Sequence, residues 1–179
     1  MNRSQFDHAI RAAAGVLGTD KLIVIGSQAI HGSVDKPFPE AQRSIEVDIS
    51  ALSDPDGTKA DLIDGSIGEL SVFQETFGYY AQGVTPKTAV LPAGWRKRLV
   101  CYSSPGTNGV VAMCLEPHDL WVSKAIAGRV KDGEFCEAMI KLKLVDRSTL
   151  KNRLGKVKNL NPETRERVQH WLRTDGADG

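Results

Sequence analysis

Cysteine is scarce in this chain and scattered. Cys101, Cys114 and Cys136 form no Cys-x-x-Cys pair, which excludes a disulfide framework and a thiolate zinc site. The four histidines, His8, His31, His118 and His170, also lack ligand spacing. No apolar run reaches the roughly 18 residues a membrane span requires. The opening residues, Met1-Asn2-Arg3-Ser4-Gln5-Phe6, pass straight into an amphipathic pattern without a signal-peptide core. These absences predict a cytoplasmic protein with no membrane partner. Internal repeats and low-complexity tracts are missing too. What is present, 41% hydrophobic residues over 179 positions, suffices for one buried core with a small helical part appended.

The net charge of +1 is small but unevenly distributed. Residues 1–140 hold 13 Lys/Arg against 17 Asp/Glu, whereas residues 141–173 hold 10 against 3. A basic segment behind an acidic front suits nucleic-acid contact. It equally suits a solvated helical face that balances the acids of the domain. No aromatic-rich or Arg-rich recognition motif accompanies the charge, and no helix-turn-helix pattern precedes it.

Periodicity places the elements. Phe6, Ile10, Ala13, Ala14 and Leu17 recur at helical spacing, and Gly18 closes a helix over 4–17. The run Lys21 to Ile25 reads as a buried strand. A brief helix starts at Ser27, with Ser27 as its cap, and Ser44 to Ser50 is a second strand. Residues 58–67 read as a helix, 78–84, 97–103 and 109–115 as strands. A helix over 118–131 follows Pro117, Gly133 breaks it, and a further helix covers 134–144. Short basic helices over 150–154 and 162–172 finish the chain. The sum is an α/β (α+β) fold: a mixed sheet of four or five strands, flanking helices and a helical C-terminal part.

The chemistry concentrates in two places. In Ser44-Ile45-Glu46-Val47-Asp48-Ile49-Ser50, alternation turns Ile45, Val47 and Ile49 to a core and Glu46 and Asp48 to the other face. Residues two apart on a strand are about 6–7 Å apart along the backbone, so their carboxylates can converge on one divalent ion. About twenty residues earlier, the strand ending at Gly26-Ser27 offers backbone N–H groups to a phosphate. A phosphate cradle with paired acids is the minimum equipment for metal-assisted phosphoryl or nucleotidyl transfer.

The second place is Leu115 to Asp132. Leu120, Ala127 and Val130, helped by Ala125 and Ile126, supply a core face, while Lys124, Gly128 and Lys131 share another stripe. A lysine on an apolar face needs a partner for its ammonium: a triphosphate, water, or a carboxylate such as Asp119 or Asp132. Spacing alone favours the last two. Asp132 either caps the following helix or serves as a further acid near the metal or a base. Phe77-Gly78-Tyr79-Tyr80 either stacks a base or belongs to the core or a surface strand.

Taken in order, the Gly26-Ser27 turn, the Glu46-x-Asp48 strand and the segment through Lys124, Arg129 and Asp132 resemble the nucleotidyltransferase superfamily, specifically its AbiEii/MenT-like toxin branch, over roughly residues 20–140. The resemblance implies a Mg²⁺-dependent enzyme moving an NMP from an NTP to an acceptor hydroxyl, with RNA or tRNA as acceptor, a toxin role and an antitoxin protein as partner. It implies that Gly26 and Ser27 hold the triphosphate, Glu46 and Asp48 bind Mg²⁺, Lys124 and Arg129 meet phosphates, and Asp132 is the acid of the last motif. It divides the chain into a catalytic domain, 1–140, and a basic extension, 141–179. The chain departs from the pattern at Glu46, where Asp is common, at Gly133, where a helix former is usual, and in lacking a third acid over 97–103. Those departures keep an alternative open: a catalytically lapsed nucleotide-binding or protein-interaction module of the same fold.

Overall fold

The computed structural model describes residues 1–174, which form two compact units. The first comprises residues 1–88 and 98–116, the second residues 89–97 and 117–174. This division follows packing, whereas the boundary at 140 follows the extent of the motifs.

The first unit is built on a five-stranded mixed sheet. Its strands are β1 (Lys21–Ile25), β2 (Glu46–Ser50), β3 (Tyr80–Gly83), β4 (Val100–Tyr102) and β5 (Val111–Cys114), in the order β3-β2-β1-β5-β4. Parallel pairs β1/β5 and β2/β3 alternate with antiparallel pairs β1/β2 and β4/β5. The central strand β1 is the most apolar, and Leu22, Ile23 and Val24 are wholly buried. Helices α1 (Arg3–Leu17), α2 (Pro39–Gln42), α3 (Thr58–Ile67) and α4 (Val72–Phe77) flank the sheet. Asn2 and Gln5 close a reciprocal capping box at the start of α1, and Gly18 ends it in the left-handed conformation. Its apolar stripe, Phe6, Ile10 and Ala13, is fully buried.

The second unit consists of α5 (Pro117–Ala127), α6 (Val130–Lys141), α7 (Arg147–Gly155) and α8 (Pro162–Thr174). Leu120, Trp121, Phe135, Met139, Leu150 and Val168 form its core. The Trp121 indole donates to the Cys136 carbonyl at 3.1 Å and packs against Trp171, ring centroids 5.2 Å apart.

The expected fold class holds, with local corrections. Ile45 is half exposed rather than core, because pairing of β2 begins only at Glu46. The cap of the 3₁₀ turn Ser27–Gly32 is Gly26, not Ser27. The helix break falls at Gly128, not Gly133: Gly128 takes φ +67 and its N–H returns to Lys124 O, whereas Gly133 lies inside α6. Val130 is consequently 86% exposed and Lys131 leaves the Lys124 stripe. β4 is shorter than 97–103 because Trp95–Arg98 forms a 3₁₀ turn.

Candidate active site

Antiparallel pairing sets Asp48 opposite Ile25, one step from the turn that leaves β1. That turn is open because of Gly26. Its φ of +70 and ψ of −167 belong to a region that only glycine occupies at low cost. A Cβ added there would overlap Oδ2 of Asp48 and come within 2.9 Å of its Cγ. The Asp48 carboxylate therefore packs directly against the backbone of the Gly26-Ser27 turn.

Glu46 and Asp48 lie on one face of β2, both half-buried, while Val47 and Ile49 between and beyond them are wholly buried. Parallel pairing brings Tyr80 opposite Glu46, and its phenol donates to Glu46 Oε2 at 3.0 Å. Burial first, then that hydrogen bond, then the charges of Glu46, Glu69 and Asp48 push the Tyr80 hydroxyl up to about 12. The phenol is thus a fixed donor at neutral pH, in the negative field of three carboxylates. Sequence reading singled out Tyr80 without assigning it to Glu46, since only the β2/β3 register joins them. Among the described residues no group of three or more His, Cys, Asp or Glu is placed to hold a metal. Two carboxylates nevertheless fit Mg²⁺, which commonly takes one or two and completes its shell with phosphate oxygens and water.

In the second unit the charged residues are arranged differently. Lys124 is 7% exposed and its Nζ donates to Asp132 Oδ1 at 2.9 Å. Arg129 Nε donates to Asp132 Oδ2 at 2.6 Å and Nη2 to Oδ1 at 3.3 Å. The Lys124 ammonium also stands 4.6 Å from the centre of the Phe135 ring. Asp132 is completely buried. Burial alone would raise its carboxyl, but the hydrogen bonds and charges of Arg129 and Lys124 outweigh it and hold the group below the ordinary carboxylate range. Asp132 sits in the first turn of α6 and Arg129 occupies the cap position, so Asp132 is not the cap. A second buried acid, Asp119, lies 3.2 Å from Arg153 Nε.

The basic C-terminal segment divides by residue type. Arg147 donates to Leu172 O, Arg165 to Leu154 O and Val157 O, and Arg167 to Ile126 O. Each of these carbonyls lies at or just beyond a helix C-terminus, where backbone acceptors lack intrahelical donors. The arginines thus serve structure, whereas Lys143, Lys151, Lys156 and Lys158 are exposed.

The structure thus sets an acid pair on a mid-sheet strand against a Gly-Ser turn within a mixed sheet. Residues 5–174 match the family described as a nucleotidyltransferase of unknown function (DUF6036), and the chain belongs to that family. Membership supports a transferase with an NTP substrate and agrees with the superfamily expected from the motifs. No curated protein and no solved structure gives a significant match to the chain. Among the described residues no helix is long and apolar enough to cross a membrane.

Proposed function

We propose that the protein transfers a nucleoside monophosphate from an NTP to an acceptor hydroxyl, with the first-unit turn and acid pair as its catalytic centre. The supporting observation is the direct apposition of Gly26 and Asp48: the one residue type that leaves room for a carboxylate stands where the strand turns. Glu46 and Asp48 would hold Mg²⁺, which neutralises phosphate charge and polarises the α-phosphoryl group. Backbone N–H groups at Gly26-Ser27 and the Ser27 hydroxyl would fix the β- and γ-phosphates. The acceptor oxygen bonds to the α-phosphorus, the bond to the β-phosphate oxygen breaks, pyrophosphate leaves and the hydroxyl proton passes to solvent or base. Tyr80 positions Glu46 through its hydrogen bond.

Lys124 and Arg129 are proposed as phosphate-contacting groups, each oriented by Asp132. We assign Asp132 to positioning rather than to the base role that is one of its sequence readings. A carboxyl held ionised between two cations is a weak proton acceptor, since an effective base needs a pKa nearer the working pH. RNA is the acceptor class we propose, supported by the family resemblance and by the exposed lysines 143, 151, 156 and 158. A toxin role in the AbiEii/MenT-like manner and an antitoxin partner rest on the resemblance alone, and action in the cytoplasm on the sequence reading.

A second reading, nucleotide binding without transfer, is favoured by the absence of a third acid beside Glu46 and Asp48 among the described residues. Thermal unfolding with and without Mg²⁺ and NTP tests the shared binding step. A ligand at a hundred times its Kd adds about 2.7 kcal/mol of stability. Mg²⁺-dependent stabilisation of the wild type that Asp48→Asn abolishes supports both readings; no stabilisation by any NTP removes both.

A further inference from the structure

A cleft of ≈ 630 Å³ opens beside the first turns of α1 in the first unit, within the size range of small-ligand sites. Gly26, Ser27, Glu46 and Asp48 do not line it. One wall is aromatic. Phe73 and Phe77 lie four apart on α4 with ring centroids 4.9 Å apart, and the His8 ring meets Phe77 edge-on at 4.6 Å. Tyr79 backs this wall, its hydroxyl 2.6 Å from His8 Nδ1. Phe77 is 45% exposed at the rim, so its ring still offers a face to a ligand. Burial and the neighbouring Arg11 hold His8 below its ordinary range, which keeps the wall uncharged near neutrality.

Cations line the same cleft beside these rings. Arg11 is anchored on the Gly106 carbonyl, and Arg3 on the carbonyls of His31 and Val34. Arg3 also pairs with Asp35 at 3.7 Å and lies over the Tyr102 ring, whereas the five N–H donors of Arg11 exceed what its bond to Gly106 uses. Asp7 also lines the cleft, yet it is 8% exposed and accepts from the Tyr102 and Ser104 hydroxyls at 2.7 Å each. The first turn of α1 contains no acid, so its dipole adds to the positive side. Aromatic rings beside an anchored guanidinium fit a planar ring that carries an anion.

We infer that this cleft binds a nucleotide unit, its base stacked on the Phe77 ring and its phosphate held by Arg11. The unit belongs to a single-stranded nucleic acid or is a free mononucleotide. The inference is independent of the transfer reading, because neither the acid pair nor a metal takes part.

The test uses the full chain with EDTA and no NTP, and follows the anisotropy of a labelled single-stranded RNA decamer, with unlabelled mononucleotides as competitors. Loss of one base–aromatic stack corresponds to roughly 5- to 100-fold weaker binding. Phe77→Ala should show that loss. Arg11→Ala should weaken binding and reduce the slope of log K against log salt by about 0.7. Val130→Ala, exposed and in the other unit, should bind as the wild type, and thermal unfolding of each variant checks its fold. Competition by a mononucleotide as strong as by the decamer identifies a free-nucleotide site; much weaker competition identifies a strand site. The proposal is overturned if the wild type binds neither ligand below millimolar concentration. It is also overturned if either Phe77→Ala or Arg11→Ala, while folded, binds like the wild type.

Discussion

The two units handle charge in opposite ways. In the first, Glu46 and Asp48 stand half-buried on one strand face, where Tyr80 fixes one acid and Gly26 abuts the other. In the second, Lys124 and Asp132 pair out of water, and the largely exposed Arg129 reaches the same carboxylate from the surface. The first arrangement concentrates like charge where a cation and a phosphate lower the energy most. The second surrounds one carboxylate, Asp132, with two cations, and loss of that carboxylate costs folding free energy. Acidic residues that resemble each other in sequence thus separate into a charge-gathering pair and a structural counter-ion.

The largest way to break this contrast is Asp132→Ala. It strands a buried ammonium, and loss of one partner of such a pair costs about 3–5 kcal/mol. Denaturant unfolding should show that loss, and Lys124→Met combined with Asp132→Leu should recover most of it. A single variant as stable as the wild type would mean that the triad is not structural. Asp48→Asn should leave stability unchanged or slightly raised, since it relieves repulsion with Glu46.

Gly26→Ala should cost about 1–3 kcal/mol from its backbone conformation alone and displace the Asp48 side chain, so Mg²⁺-dependent NTP stabilisation should fall with it. Retention of that response would detach the turn from the acid. The third expected effect concerns pH. Burial, followed by the charge of Arg3, lowers His31 from 6.5 to about 4. As pH falls the unfolded chain takes up the proton first. The stability associated with neutral His31 is therefore complete above pH 6.5 and lost between 6.5 and about 4. The loss by pH 5 is on the order of 2 kcal/mol. A His31→Asn variant should show a correspondingly flatter profile in urea melts between pH 7 and 5. The smallest effect is Tyr80→Phe. Removing one hydrogen bond to a half-exposed carboxylate costs about 1 kcal/mol, read as an NTP affinity in Mg²⁺ about fivefold weaker. Unchanged affinity would leave Tyr80 outside the site.

Sequence carried the fold where local and tertiary signals agreed. Lys21–Ile25 and Thr58–Ile67 have the bounds that periodicity predicts, because a continuous apolar run and a helical stripe each match their burial. Helix α4 escaped reading: six residues with Val72 and Phe77 exposed leave no stripe to find. The break at Gly128 was displaced to Gly133 because both glycines are equally able to end a helix. Gly128 takes the left-handed conformation, φ +67, while Gly133 continues α6, and spacing does not distinguish the two. In the candidate site, Glu46-x-Asp48 was visible through its alternation. Tyr80 and the reciprocal holding of Lys124 and Asp132 depend on strand register and helix packing, which spacing does not encode. Lys124 pairing with Asp132 was among the outcomes spacing allowed, but the second cation, Arg129, on the same carboxylate required the geometry.

The most direct measurement incubates the purified protein with each α-labelled NTP, Mg²⁺ and total RNA, beside Asp48→Ala. Loss of a metal carboxylate removes several kcal/mol of barrier lowering, more than a hundredfold in rate. Label should enter RNA with the wild type and fall by at least that factor with Asp48→Ala. Equal labelling by the two proteins would contradict the assignment of the Gly26–Asp48 apposition as the catalytic centre.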